Sequence, residues 1–190
     1  MGRLVVSEFI TLDGVFEDPG GTEGKAYGGW QTSLTGEEEI AFKLDELKQA
    51  DALLVGRVTY EGFASARLGA GDKDKIGILM DTMPKYVATL TVSEFNWQNS
   101  QALAPNVYAA VSQLKQQYAR DILVVGSGQL VASLLENDLV DELRLMTYPI
   151  LLGQGRRLFD GAPHKKLQYV STQAFGGGAV LLTYSQRANH

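Results

Sequence analysis

Cysteine is absent from the 190 residues. Its absence excludes disulfides, iron–sulfur clusters, thiolate zinc sites and a cysteine nucleophile, and is compatible with a cytoplasmic protein. Histidine is scarce too, His164 and His190 being the only two. They cannot build a three-histidine metal centre, so no metal is expected, and a serine hydrolase would have to recruit His164. Basic residues are outnumbered, 17 against 22 acidic, giving a net charge of −5. That is the wrong sign for a general nucleic-acid binder, so a polyanionic ligand must be small and gripped locally. No apolar run approaches the ~18 residues of a membrane span. Ser7 and Glu8 break the first apolar run, which argues against a signal peptide, and Val6 stands where a myristoylation motif needs Ser or Thr. The expectation is a cytoplasmic protein with a small-molecule partner and neither nucleic acid nor membrane.

What is present is an ordinary globular balance, 45% hydrophobic and 21% charged, with 21 glycines that call for turns. Apolar runs alternate with helical patterns, the mark of an α/β domain, here one domain over residues 1–190. Strands are expected at Arg3–Ile10, Ala52–Val55, Lys85–Leu90, Asp121–Val125, Glu142–Tyr148, Leu167–Ala174 and Ala179–Ser185. Helices are expected from Thr35, with Thr35 and Glu38 as capping box, and at Val107–Tyr118 and Gln129–Glu136. Residues 68–76 read as a surface loop, and Gly176 to Gly178 as the turn of a closing hairpin. Between Asp13 and Gly36 lies a glycine-rich irregular stretch of the kind that forms lids.

Two glycine-bearing strand ends could carry chemistry. Ile122 to Val125 leads into Gly126-Ser127-Gly128 and a helix with Gln129 and Leu130. Free N–H groups at such a start favour a phosphate, and glycine lets it approach the backbone. The third glycine of a Rossmann fingerprint is missing, Val131 standing there, and Ser127 lacks the flanking glycines of a nucleophile elbow. The plain alternative is a tight turn that binds nothing. Gly56-Arg57-Val58-Thr59 offers a second start, with Thr59 able to cap a helix from Tyr60 and Arg57 able to grip a phosphate. A surface ion pair is the plain alternative for Arg57. Together the two ends suit a dinucleotide better than either alone.

The ordered set Thr11-Leu12-Asp13-Gly14-Val15, Gly56-Arg57-Val58-Thr59, Met83-Pro84-Lys85, Gly126-Ser127-Gly128, Asp141-Glu142-Leu143 and Pro149 to Gly155 with Leu158-Phe159 resembles the dihydrofolate reductase-like family. Within it the resemblance is to a stand-alone form of the reductase domain of bacterial riboflavin biosynthesis. It implies a central mixed β-sheet flanked by helices, with NADPH laid across the strand ends, and a homodimer. By that resemblance Gly56, Arg57 and Thr59 approach the cofactor phosphates, and Thr89, Leu90 and Thr91 lie near the adenosine 2′-phosphate. Gly126, Ser127, Gly128, Gln129 and Leu130 take the pyrophosphate, and Leu12 and Asp13 stand beside the nicotinamide. Tyr148, Ile150 and Leu151 line the substrate space, and Trp30 closes the lid, unless it only anchors it.

The function so implied is an NADPH-dependent reductase passing hydride to a C=N or C=O carbon of a small heterocyclic or ribosylated compound. Asp13 is the first candidate for proton donor or substrate anchor and Glu17 the second, a plain turn residue being the alternative for Asp13. The pterin-binding acid of dihydrofolate reductases has no assignable counterpart in the first helix, where Glu37 to Glu39 fit the first turn and Asp45 and Glu46 are expected to face solvent. A nucleotide-binding or sensing module without turnover is the alternative function. A hydrolase built on Ser127 and His164 has no elbow to support it.

Overall fold

A computed structural model of the chain describes residues 1–69 and 74–186. In chain order the elements are β1 (Arg3–Thr11), α1 (Glu37–Lys48), β2 (Ala50–Gly56), α2 (Arg57–Gly69), α3 (Lys75–Thr82), β3 (Lys85–Ala88), β4 (Ser100–Ala102), α4 (Val107–Gln117), β5 (Asp121–Val124), α5 (Gly128–Glu136), β6 (Glu142–Tyr148), β7 (Leu167–Ala174) and β8 (Val180–Gln186). The strands form one mixed eight-stranded sheet in the order β4-β3-β2-β5-β1-β6-β8-β7. Every pair from β4 to β6 is parallel, and β8 and β7 close the sheet antiparallel. The expected mixed sheet flanked by helices is therefore present, terminal hairpin included.

The runs of residues 4–6, 52–55 and 122–124 at the centre of the sheet are apolar without alternation because both faces are covered. Leu4, Val6, Leu54, Ile122 and Val124 point to one side, against Val111 and Leu114 of α4 and Leu130 and Leu134 of α5. Their neighbours Val5, Leu53, Val55 and Leu123 point to the other, against Leu47 of α1, Tyr60 of α2 and Met80 of α3. Truncating one of these fully buried leucines to alanine costs about 2–5 kcal/mol. Trp30, Met146, Tyr148, Phe175 and Leu181 form a smaller cluster toward the hairpin. The covering stops short of β7, where Tyr169 and Val170 remain 60% and 49% exposed.

Several local expectations are corrected. α1 is capped at Gly36, whose N–H bonds to Glu39, while Glu38 reaches instead to the N–H of Gly176 at the hairpin tip. α2 begins at Arg57, so Thr59 sits inside its first turn rather than capping it. The segment 68–76 is not one loop: α2 runs to Gly69 and α3 starts at Lys75, residues 70–73 lying outside the described residues. Lys85 anchors the end of α3 by donating to the carbonyls of Met80 and Met83, a side-chain cap that periodicity does not show. β3 stops at Ala88, leaving Thr89 to Thr91 in the loop beyond, and the short strand β4 was not foreseen. Asp45 faces solvent as expected, where it pairs with Lys48, but Glu46 is only 4% exposed, bound by Ser7, Lys43 and Arg144.

Candidate functional site

β5 pairs with β1 only from Arg3 to Val6, whereas β6 follows β1 from Val5 to Thr11. From Ser7 onward β1 therefore has an unpartnered edge, because the chain leaves β5 at Gly126 and turns into α5. The gap opens at the carboxyl ends of parallel strands, where α/β sheets bind ligands.

Two turns border the gap and are keyed into each other. A Cβ on Gly56 would stand 2.3 Å from the Cβ of Ser127, and one on Gly126 would stand 2.2 Å from Thr59 Oγ1. Glycine is needed at both places so that the partner's side chain fits. The left-handed residues of the second turn are Gly126 and Ser127, at φ +72° and +71°. Gly128 has ordinary backbone; its lack of a side chain makes room for the Phe16 ring, 2.7 Å from a would-be Cβ. A serine held left-handed is strained by about 1–3 kcal/mol, a cost that recurs at binding turns. Ser127 lends α5 no side-chain cap, so the helix start keeps free N–H groups.

Two cavities meet at this turn. The inner one, of about 270 Å³, lies between β1, α1, α2 and the lid; Glu8, Phe9, Lys43, Thr59 and Arg156 are among its walls. The outer one, of about 430 Å³, lies over the ends of β2 and β3, among Arg57, Thr89, Leu90, Thr91 and Pro105. Val58, Ser127 and Gln129 line both. Arg57 is half exposed and bonded to Glu61 at 2.8 Å, an ion pair that leaves its guanidinium beside the outer cavity. Thr89 Oγ1 accepts the N–H groups of Thr91 and Val92 and so shapes that wall. The free amides of α5, the hydroxyls of Thr59 and Ser127 and the Arg57 guanidinium are the donor set of a phosphate-rich ligand.

The lid over the inner cavity is fastened to the loop after β6. Asp13 accepts from Thr11 Oγ1 at 2.6 Å and from the N–H of Leu152 and Gly153. These bonds, that from Thr11 foremost, hold the carboxyl down at about 2. Leu12 N–H bonds to the carbonyl of Ile150. Glu17 is buried, yet donors from Tyr27 and Arg156 outweigh burial and bring it to about 2. Trp30 Nε1 donates to the Glu17 carbonyl, and its ring meets Tyr148 edge-on at 5.7 Å. Tyr148 in turn backs Phe9 at 5.6 Å.

The structure thus gathers Thr59, Gly126, Ser127 and Gln129 at the inner cavity, and Arg57, Thr89, Leu90, Thr91, Ser127 and Gln129 at the outer one. Leu12, Asp13, Glu17, Trp30, Tyr148, Ile150 and Leu151 form the clasp and its backing and are not among the cavity walls. Gly56 and Gly128 act through packing, and Leu130 is a core residue. Sequence reading missed Glu8, Lys43 and Arg156 as cavity residues. The signal for Glu8 was present, a charged residue inside an otherwise buried strand.

The family model of the RibD C-terminal domain matches residues 3–181. The chain belongs to this family. Two proteins of Bacillus subtilis (strain 168), both uncharacterized, align along almost the whole RibD C-terminal-type chain. YyaP is 28% identical over 96% of this chain and 94% of its own, and YwjB is 25% identical over 96% and 97%. Among solved structures, a candidate riboflavin biosynthesis protein from Shewanella sp. PV-4 superposes with TM-score 0.75 at 19% identity, covering 98% of this chain and 99% of that one. The dihydrofolate reductase of Enterococcus faecalis, solved with NADP(H), gives TM-score 0.64 at 13% identity, covering 98% and 97%. The Thermotoga maritima diaminohydroxyphosphoribosylaminopyrimidine deaminase/5-amino-6-(5-phosphoribosylamino)uracil reductase gives 0.67 at 17%, covering 98% of this chain and 57% of that longer one. The fold is that of the dihydrofolate reductase-like proteins.

Proposed function

We propose that the chain is a single-domain, NADPH-dependent reductase of a small heterocyclic or ribosylated compound. The observation that carries this reading is the pair of cavities joined at Ser127 and Gln129, one walled by phosphate-type donors and the other enclosed beneath a fastened lid. A dinucleotide needs both, its phosphates over the turns and its reactive ring inside. The family and the NADP(H)-bound and uracil-reductase neighbours support the same cofactor and substrate class.

Arg57, the Thr89 to Thr91 loop and the Gly126 to Gln129 turn would hold the cofactor, which supplies hydride when bound. The chain's own contribution is orientation and dryness. Phe9, backed by Tyr148, offers an edge of apolar wall, and the lid clasped through Asp13 and Glu17 keeps water from the inner cavity. Asp13 and Glu17 stay ionised at neutral pH and supply no proton, which is the observation favouring the alternative of a non-catalytic nucleotide-binding module. NADPH titration followed by absorbance-monitored oxidation against uracil-type and pterin-type compounds separates the two: binding with oxidation supports the reductase, binding alone the module. We also propose a cytoplasmic homodimer joined through exposed β7, where a monomeric mass by light scattering at micromolar concentration would remove the dimer.

A further inference from the structure

Two glutamates are buried near the inner cavity in opposite surroundings. Glu46 on α1 collects the cations, Lys43 Nζ at 2.5 Å and Arg144 Nη1 at 3.1 Å, with Ser7 Oγ at 2.8 Å. Glu8 on β1 collects none among the described residues. Its Oε1 accepts the Gly126 N–H at 2.7 Å, and the ammonium of Lys43 is already bonded to Ser7 and Glu46. A carboxylate placed there lacks a counter-ion, whereas a carboxylic acid fits: one oxygen accepts from Gly126 and the O–H remains for the cavity.

We propose that Glu8 is the acid of this site, carrying its proton at neutral pH, presenting the O–H to the bound small molecule, and keeping that proton in concert with phosphates seated on the Gly126 turn. The phosphate coupling and the proton transfer to a reduced ligand rest on the NADPH reading; the protonated state of Glu8 does not. Burial pushes the Glu8 carboxyl up to about 8, the Gly126 amide and Lys43 opposing this and the Glu46 charge adding to it. The other charges on the cavity wall are Asp18 and Glu23 from the lid and Arg156 from the loop after β6; α2 and α5 bring the uncharged Thr59, Ser127 and Gln129. Environments that split two carboxyls in this way mark an acid and an anion with separate duties.

The consequence for the ligand is specific. It must offer an acceptor, a ring carbonyl oxygen or an imine nitrogen, toward β1. Bound NADPH would supply a hydride to the carbon of that double bond, and the ligand's nitrogen or oxygen would take the Glu8 proton. The carboxylate left behind recovers a proton from water.

Two measurements on the full chain test this. Infrared difference spectra between the wild type and Glu8→Gln should show a protonated carboxyl at neutral pH that ionises near pH 8 and is missing from the variant. Isotope-edited spectra of the wild type alone serve if the variant does not fold. NADPH affinity should weaken roughly 30-fold between about pH 7 and about pH 9.5 in the wild type and change less than about 3-fold in Glu8→Gln. An ionised Glu8 at neutral pH, or equal pH slopes in the two proteins, overturns the proposal while leaving NADPH binding intact. Failure of the wild type to bind NADPH at any pH instead overturns the cofactor reading, and the infrared result still decides the state of Glu8.

Discussion

Gly56 leaves open the space that Ser127 fills, its would-be Cβ lying 2.3 Å from the serine Cβ, and Gly126 does the same for Thr59. Two motifs far apart in the chain are thereby one object, and the side-chain placement of each is set by the other. Gly126→Ala would have to move Thr59 and hold alanine at positive φ. A loss of about 1–3 kcal/mol in chemical denaturation is expected, together with weaker NADPH binding. An unchanged unfolding midpoint would show that the turns are not interlocked.

Gly128→Val acts differently, because its backbone is unstrained and the new side chain meets the Phe16 ring. The variant is expected to stay folded, displace the lid base and lose NADPH binding. Normal affinity by calorimetry would place the pyrophosphate elsewhere.

Arg57→Ala is expected to weaken NADPH by roughly 10- to 100-fold, the worth of one charged hydrogen bond, with far less effect on NADH. The exposed pair it breaks with Glu61 contributes at most ~1 kcal/mol to stability, so folding should be nearly unchanged. Equal losses for both cofactors would show that Arg57 does not read the 2′-phosphate.

The pH dependence of stability should have two limbs. Glu8 rises on folding from 4.5 to about 8, so the folded state binds more protons and stability falls as pH climbs through that interval. Glu8→Gln should therefore raise the melting temperature at pH 8 more than at pH 5. Glu17 falls on folding to about 2, so its contribution is present above its ordinary value and disappears as pH drops toward 2. Glu17→Gln should destabilise at pH 7 and scarcely at pH 2. Parallel melting curves for either variant and wild type across pH would contradict the assignment.

Tyr27→Phe removes the hydroxyl that Glu17 accepts from and leaves the Arg156 bond in place. The lid should open more often without global unfolding. Faster exchange of the Glu23 and Lys25 amides, which bond to the Asp18 carboxylate, reports this directly. Unaltered exchange would mean that the Tyr27 hydroxyl is not needed to fasten the lid.

Dihydrofolate turnover is expected far below the ~10 s⁻¹ typical of enzymes on their own substrates. Glu38 is spent on Gly176 and Asp45 on Lys48, while Glu46 is covered by Lys43 and Arg144. These three α1 carboxylates are thus engaged elsewhere in the fold. Turnover near that value with saturating NADPH would reverse this and point to a rearranged α1.

The sequence by itself determined the order and type of most elements, because strand and helix periodicities are local. β6 and β7 lie where alternation and apolar content put them, and the glycine turns at Gly56 and Gly126 were visible as breaks after apolar runs. It also determined family membership, carried by the order of motifs along the chain. Tertiary structure decided what the charged groups do. Asp13 reads as a candidate acid until the loop at Leu152 and Gly153 folds back to bond it. Glu46 looks like a solvent-facing helix residue until β1 and β6 bring Ser7 and Arg144 to it. Glu8 is only a blemish in an apolar strand until β5 ends early and leaves it facing a cavity. Ionisation depends on burial and on neighbours distant in sequence, and those are fixed only when the sheet has closed around them.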